Sequence, residues 1–353
     1  MADLSLAGKT IFITGAAGFI GANLARALLT QEKDVRLVGI DNMNDYYDVG
    51  LKESRLSGLR ALAGGERFLF IKGDISERET VREIFLEHEP QIVVNLAAQA
   101  GVRYSIDHPD AYIRSNVLGF YEILEACRHS GDNGKRGVEH LVYASSSSVY
   151  GSNKKIPYST DDAVDHPVSL YAATKKSDEL LAHAYAKLYG IPATGLRFFT
   201  VYGPAGRPDM AYFGFTDKLR QGGTIEIFNY GNCMRDFTYI DDIVAGVCSV
   251  MKRAPEKNED GVPYKLYNIG NSHPENLLDF VDILQQELVA AQVLPADFDF
   301  ERHKKLVPMQ PGDVETTYAD VSGLERDFGF RPHTPLREGL RAFARWYREY
   351  YTL

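Results

Sequence analysis

The sequence predicts a doubly wound α/β protein, with a parallel sheet covered on both faces by helices and a smaller α/β lobe beside it. Three observations carry this. Apolar, β-branched runs alternate with helix-compatible segments through the first half, a glycine-rich turn joins the first run to the first helix, and beyond about residue 200 the alternation gives way to Gly, Pro and aromatic residues. Continuous apolar runs mark parallel strands because both of their faces are buried. Strand and helix in alternation mark βαβ units.

The strand runs fall at Thr10 to Thr14, Val35 to Ile40, Phe68 to Ile71, Ile92 to Leu96 and Leu141 to Ala144. Between them Ala22 to Leu29, Glu79 to Glu87 and Ala111 to Arg128 have helical periodicity. A further helix, Leu170 to Leu188, leads through Gly190-Ile191-Pro192 into a strand at Ala193 to Phe198. Tyr264 to Ile269 reads as one more strand of the same sheet, so the chain returns to its first domain before it ends. The expected division is discontinuous: 1–199 with 236–271 form a nucleotide-binding domain, and 200–235 with 272–353, including a helix at Leu277 to Val289, form a substrate lobe.

With 353 residues, 44% hydrophobic and 25% charged, the chain can bury a large core and should be folded nearly throughout. A formal charge of -9 argues against nucleic acid or an acidic membrane as partner, so an anionic ligand must be met by a few local cations. The three cysteines, Cys127, Cys233 and Cys248, are scattered and lack C-x-x-C spacing, which implies a reducing compartment. No histidine pattern suggests a metal site. No run is long enough to span a bilayer, and the expected location is cytoplasmic.

Gly15, Gly18 and Gly21 follow the first strand and open the first helix, in the run Thr14-Gly15-Ala16-Ala17-Gly18-Phe19-Ile20-Gly21. A turn without side chains lets a pyrophosphate approach backbone N–H groups at a helix N-terminus, where the helix dipole favours negative charge. Asp41 ends the second strand twenty residues past Gly21, where its carboxylate can accept both ribose hydroxyls and would repel a 2′-phosphate. This is a Rossmann arrangement for NAD rather than NADP. Phe19, Ile20 and Asn42 stand beside these residues, Asp74-Ile75 are placed for the adenine, and Leu96, Ala97, Ala98 and Gln99 border the ribose and nicotinamide. For those last contacts plain loop structure is an equal reading.

Tyr171 and Lys175 lie four apart on the expected helix, hence on one face, about 6 Å apart at Cβ. A phenol with a pKa of about 10 is a poor base at neutral pH until a neighbouring cation favours its ionised form. Lys175 is placed to do that. By itself Tyr-x-x-x-Lys is an ordinary surface pair; here it follows a serine tract, Ser145 to Ser148, and a nucleotide fingerprint.

Together, Gly15-x-x-Gly18-x-x-Gly21, the Ser146 region, Tyr171-x-x-x-Lys175 and Arg235-Asp236-Phe237 resemble the extended short-chain dehydrogenase/reductase family, specifically its nucleotide-sugar epimerases, over essentially the whole chain. The resemblance implies a tightly held NAD that takes a hydride and gives it back. It makes Tyr171 the base at the sugar 4-OH, Ser146 or Ser148 the hydrogen-bond partner of that oxygen, and Lys175 a ligand of the nicotinamide ribose. Related dehydratases and decarboxylases carry carboxylates just after the hydroxyl residue. This chain has Ser147-Ser148, which favours epimerisation.

The segment from Arg197 to Met210 is similar to that of UDP-glucuronate 4-epimerases. A threonine hydroxyl and an arginine fork suit a C5 carboxylate, and Thr200 and Arg207 are the candidates. The resemblance further places Arg235 at the UDP pyrophosphate, Phe228 near uracil and Asp313 over the nucleotide ribose. It implies a homodimer through the helices that begin near Ala111 and Leu170. The competing readings are an epimerase of UDP-glucose or UDP-N-acetylglucosamine, a UDP-glucuronate decarboxylase, and a catalytically silent NAD-binding regulator.

Overall fold

A computed structural model describes residues 1–309 and 314–353. Seven strands form one parallel sheet: β1 (Thr10–Thr14), β2 (Arg36–Asp41), β3 (Phe68–Lys72), β4 (Ile92–Asn95), β5 (His140–Ser146), β6 (Ala193–Phe198) and β7 (Tyr264–Ile269). Their order is β7-β6-β5-β4-β1-β2-β3, and every neighbouring pair is parallel. This is the doubly wound Rossmann sheet the sequence predicts; β7 belongs to it as expected, and the structure places it beside β6.

Alternate residues of the central strands enter different cores. Ile11 and Ile13 pack under one layer with Leu24, Leu28 and Val247, while Phe12 packs under the other with Phe85, Ile123 and Leu124. Such two-sided burial is why these strands read as unbroken apolar runs. The helices Phe19–Gln31 and Ile240–Met251 supply the first layer, and Arg78–His88, Gly119–His129 and Leu170–Tyr189 the second.

The second lobe has a three-stranded sheet, Pro274–Asn276 beside Met234–Tyr239 beside Thr200–Tyr202. Phe237 of its middle strand stacks on Phe280 at 4.5 Å, and the helix Leu336–Tyr350 closes the core with Leu340, Phe343 and Tyr347, an i, i+3, i+7 stripe. The strand Met234–Tyr239 crosses residue 236, so a boundary at 235/236 cuts one strand. Its Asp236 carboxylate takes the backbone N–H groups of Asn271, Ser272 and Ala319, which fastens the chain where it leaves β7.

Two local features depart from the sequence pattern. The helix Val49–Ala63, N-capped by Asp48 onto Gly50 N–H and ended by left-handed Gly64, was absent from the expected elements. It turns Lys52 and Arg55 inward, which blurs its apolar stripe. The single helix expected from Ala111 to Arg128 contains a π-helical turn, Ile113–Leu118, between Pro109–Tyr112 and Gly119–His129. Such turns often mark functional sites, and this one carries the buried Asn116.

Candidate active site

A cleft of about 940 Å³ opens at the carboxyl ends of the strands, where the strand order reverses between β1 and β4. Open α/β sheets bind ligands at such a switch point. The glycine turn is packed so closely that it admits no side chains: a Cβ on Gly15 would lie 2.9 Å from Ala97 N, and one on Gly21 only 2.2 Å from the Gly15 carbonyl oxygen. Gly15 also has φ +68°, a left-handed conformation suited to glycine. Gly18 caps the helix Phe19–Gln31 without a side-chain acceptor, which suits an anion at its first turn. Across the turn Thr14 Oγ1 donates to Asn95 Oδ1 at 2.7 Å and accepts from Leu96 N and Ala97 N, tying the end of β1 to the loop after β4.

Asp41 ends β2 inside the cleft, accepting from Ala17 N at 3.2 Å and Met43 N at 2.9 Å. Asn42 donates to Asp74, which Ser76 also holds through its backbone N–H and hydroxyl. Burial disfavours the Asp74 charge, but these donors outweigh it and keep the carboxyl below its ordinary range. The crowded glycine cradle and the acidic strand end fit an adenine dinucleotide. Phe19, Ile20, Ile75, Leu96, Ala97, Ala98 and Gln99 line the same cleft.

Tyr171 and Lys175 face the cleft from the helix Leu170–Tyr189, which Ser169 caps onto Ala172 N. Among the described residues the Tyr171 hydroxyl has no hydrogen-bond partner, while its ring meets Tyr112 edge to face at 6.0 Å. The Lys175 ammonium is buried and bonds Asp178 Oδ2 at 2.9 Å. Burial opposes its charge, yet Asp178 and then Tyr171 hold its pKa above the ordinary lysine value. Asn116 braces this helix, donating to Thr174 Oγ1 at 2.9 Å and to the Gln99 carbonyl while accepting from Gln99 N.

The serine tract divides its work. Ser146 and Ser148 border the cleft, and Ser146 Oγ accepts from Ser148 N at 3.1 Å. Ser145 and Ser147 line the cleft too, but the Ser145 hydroxyl donates to Glu179 at 2.7 Å, in a buried cluster where Glu179 also receives the Arg197 fork at 2.7 and 2.9 Å. Burial disfavours both charges, but the pairing lowers the Glu179 pKa and raises that of Arg197.

From the second lobe Thr200, Arg207 and Phe228 reach the cleft. Arg207 points its Nε and Nη2 at both oxygens of Asp209, at 2.9 and 2.6 Å. Arg235 is not among the cleft residues; its Nη1 donates to the Met234 and Glu315 carbonyls, both at 3.0 Å. Asp313 lies outside the described residues. Every other residue expected at the site lines this one cavity.

Four residues of the site were not read from the sequence. Lys52 bonds Asn44 at 2.9 Å and lies 3.6 Å from Asp41; burial pulls its pKa down, with Asp41 partly offsetting this. Arg55 joins the two lobes by donating to Ala17 O, Ala205 O and Gly206 O, so one guanidinium fastens the glycine turn to the peptide just before Arg207. Asn116 and Glu179 are the others. The caps Asp48 and Gly64 mark the helix that carries the first two.

Known proteins match the chain over nearly its full length. It is 48% identical over 352 residues to Protein CapI of Staphylococcus aureus, covering 97% of this chain and 99% of that one. It is 43% identical over 355 residues to UDP-glucuronate 4-epimerase 4 of Arabidopsis thaliana, covering 98% of this chain and 76% of that one. Among solved structures, UDP-glucuronic acid 4-epimerase from Bacillus cereus, in complex with UDP-glucuronic acid and NAD, superposes with a TM-score of 0.83 at 31% identity, covering 97% of this chain and 100% of that one. A model of the NAD dependent epimerase/dehydratase family matches residues 11–270, and with the glycine cradle, the strand-end aspartate and the Tyr171–Lys175 face in one cleft, the chain belongs to that family.

Proposed function

We propose that the protein is an NAD-dependent epimerase that interconverts UDP-glucuronate and UDP-galacturonate at C4. The observation that carries this is the meeting, in one cavity, of Tyr171 and the Ser146–Ser148 hydroxyls with Thr200 and Arg207. The Arabidopsis and Bacillus relatives support it, being UDP-glucuronate 4-epimerases by name. In this reading NAD, when bound at the glycine turn, accepts the C4 hydride and returns it. Tyr171 holds and returns the proton of the 4-OH, Ser146 or Ser148 orients that oxygen, and the charged Lys175 favours the phenolate electrostatically and binds the nicotinamide ribose. Rotation of the 4-keto sugar presents its other face, and inversion follows.

Thr200 and Arg207 hold the C5 carboxylate. Oxidation at C4 turns the uronate into a β-keto acid, which loses CO2 when the C5–carboxylate bond lies parallel to the carbonyl π system, so a clamped carboxylate protects the intermediate. Phe228 and Arg235 are assigned to the uracil and pyrophosphate, and Asp313 to the nucleotide ribose. The cofactor lobe is then 1–199 with 236–271 and the sugar-nucleotide lobe 200–235 with 272–353, save that the boundary at 235/236 moves past residue 239 so that the strand Met234–Tyr239 stays whole in the second lobe. Purified protein incubated with UDP-glucuronate, without added reductant, should yield UDP-galacturonate by NMR. Release of a UDP-pentose as the main product, or no conversion, would overturn the assignment.

The same reading includes a homodimer and a reducing, cytoplasmic setting. Ile113, Leu118 and Leu180 stand exposed on the two helical segments expected at the contact, at 49%, 43% and 60%. Exposed apolar residues gathered on adjacent helices suit an interface. Light scattering should give twice the chain mass, and Leu180→Glu with Ile113→Glu should halve it; a monomeric parent protein would contradict this. The setting is supported by three free, buried cysteines, and fractionation that placed the protein in an oxidising compartment would refute it. No helix among the described residues is long and apolar enough to cross a membrane.

A further inference from the structure

Arg207 does not meet the cleft alone. Its Nε and Nη2 edge is occupied by Asp209, and the Tyr46 hydroxyl donates to Asp209 Oδ2 at 3.1 Å. Tyr46 comes from the loop after β2, five residues past Asp41, so the cofactor side of the cleft supports the arginine from across the lobe boundary. The approach is tight. A Cβ on Gly101, which has φ +95°, would lie 2.4 Å from the Tyr46 oxygen and 3.7 Å from Asp209 Oδ2. Burial disfavours charge on Asp209, but the Arg207 guanidinium overrides it and keeps the carboxylate ionised. Burial and Asp209 both raise the Tyr46 pKa, so the phenol remains a donor.

We propose that Asp209 and Tyr46 form a seat that fixes the angle of the Arg207 guanidinium, and that this angle decides whether the 4-keto intermediate keeps its carboxylate. Asp209 and Tyr46 are positioning residues acting through Arg207. A guanidinium has two forked edges and five N–H groups in a rigid plane. With the Nε/Nη2 edge pinned by Asp209, the Nη1 side remains for a ligand, and its direction is set by the protein instead of by the sugar. This rests on the reading of the site as one for a UDP-uronate. In the step to be suppressed the C5–C6 bond breaks, its electron pair forms the C4 enolate, CO2 departs and C5 takes a proton. That step involves no net redox change, so only the geometry of the carboxylate holds it back.

The seat has two opposing effects, and they separate in experiment. Asp209 orients Arg207, yet its negative charge also weakens the attraction of Arg207 for another carboxylate. Asp209→Ala should therefore bind UDP-glucuronate as well as the parent enzyme or up to about threefold tighter, while the fraction of turnovers ending in CO2 rises at least about tenfold, since small misplacements of a positioning group cost large factors. Tyr46→Phe, which removes one hydrogen bond and keeps the ring, should move the same fraction about threefold in the same direction. The measurements are calorimetric Kd for UDP-glucuronate and UDP-glucose, and NMR of C6-labelled substrate with the enzyme as purified. An unchanged CO2 fraction in both variants, or an Asp209→Ala enzyme whose affinity falls alike for both nucleotides, overturns the proposal. Should Asp209→Ala fail to fold, Tyr46→Phe alone decides. A parent enzyme inert toward UDP-glucuronate would overturn the proposed function as well, whereas turnover with an unmoved product ratio overturns this inference only.

Discussion

Tyr171→Phe is expected to lose turnover by about 10²–10⁴-fold, the usual contribution of a positioned acid–base group, while retaining the cofactor and nucleotide. The substitution removes one oxygen. The ring stays against Tyr112 at 6.0 Å, and the Tyr171 carbonyl still accepts from Thr174 Oγ1 at 2.8 Å, so the helix and its brace are undisturbed. The lost atom lacks a hydrogen-bond partner among the described residues, so stability should hardly change. Initial rates on UDP-glucuronate, bound NAD measured after denaturation, and the thermal midpoint separate the outcomes. A rate within tenfold of the parent enzyme would remove Tyr171 from the chemistry. Coincident loss of NAD would mean that its role is structural.

Glu179→Ala should be the most damaging substitution for stability, at about 3–5 kcal/mol, the cost of leaving a buried partner charge uncompensated. Glu179 and Arg197 side chains are each only 1% exposed, and Arg197 lies at 4.9 Å over the Tyr150 ring in a space closed to water. Among the described residues Arg197 Nη1 already has no hydrogen-bond partner. Removing the carboxylate also strands the buried Ser145 hydroxyl, while the partly exposed Lys176 ammonium loses an ion pair but keeps access to water. Because the folded-state pKa of Glu179 is depressed, its stabilisation is complete above the unfolded carboxyl value near about 4.3 and is lost as pH falls through the lower folded value. Urea midpoints at neutral and acid pH test this. A shift below about 1 kcal/mol at neutral pH would show that Arg197 is not left uncompensated, its guanidinium finding water or another acceptor once the carboxylate is gone.

These two effects differ in how they could have been foreseen. Tyr171 and Lys175 were legible because catalysis by a helix face needs residues at fixed local spacing, and four residues is one turn. The same holds for the glycine turn and for Asp41, whose positions follow from the end of one strand and the start of the next helix. Lys175 shows where local reading stops. Its spacing to Tyr171 was visible, but the buried bond to Asp178 on the same helix depends on how deeply that helix packs. The helix Val49–Ala63 was missed since two of its inward positions are cations, Lys52 and Arg55, and hydrophobic periodicity registers cations as surface. Their burial is sustained by carbonyl and carboxylate oxygens supplied by other segments.

Local spacing and apolar patterning, then, determined the parallel sheet, the cofactor turn and the Tyr171 face, because each is set by contacts within one or two turns of chain. Tertiary structure alone decided how that chemistry is held. Asn116 braces Gln99 and Thr174 across 17 and 58 residues, Arg55 reaches Ala205 across 150, and Tyr46 meets Asp209 across 163. Hydrogen bonds over such separations leave no periodic trace, since their geometry comes from the way helices and loops pack on the sheet.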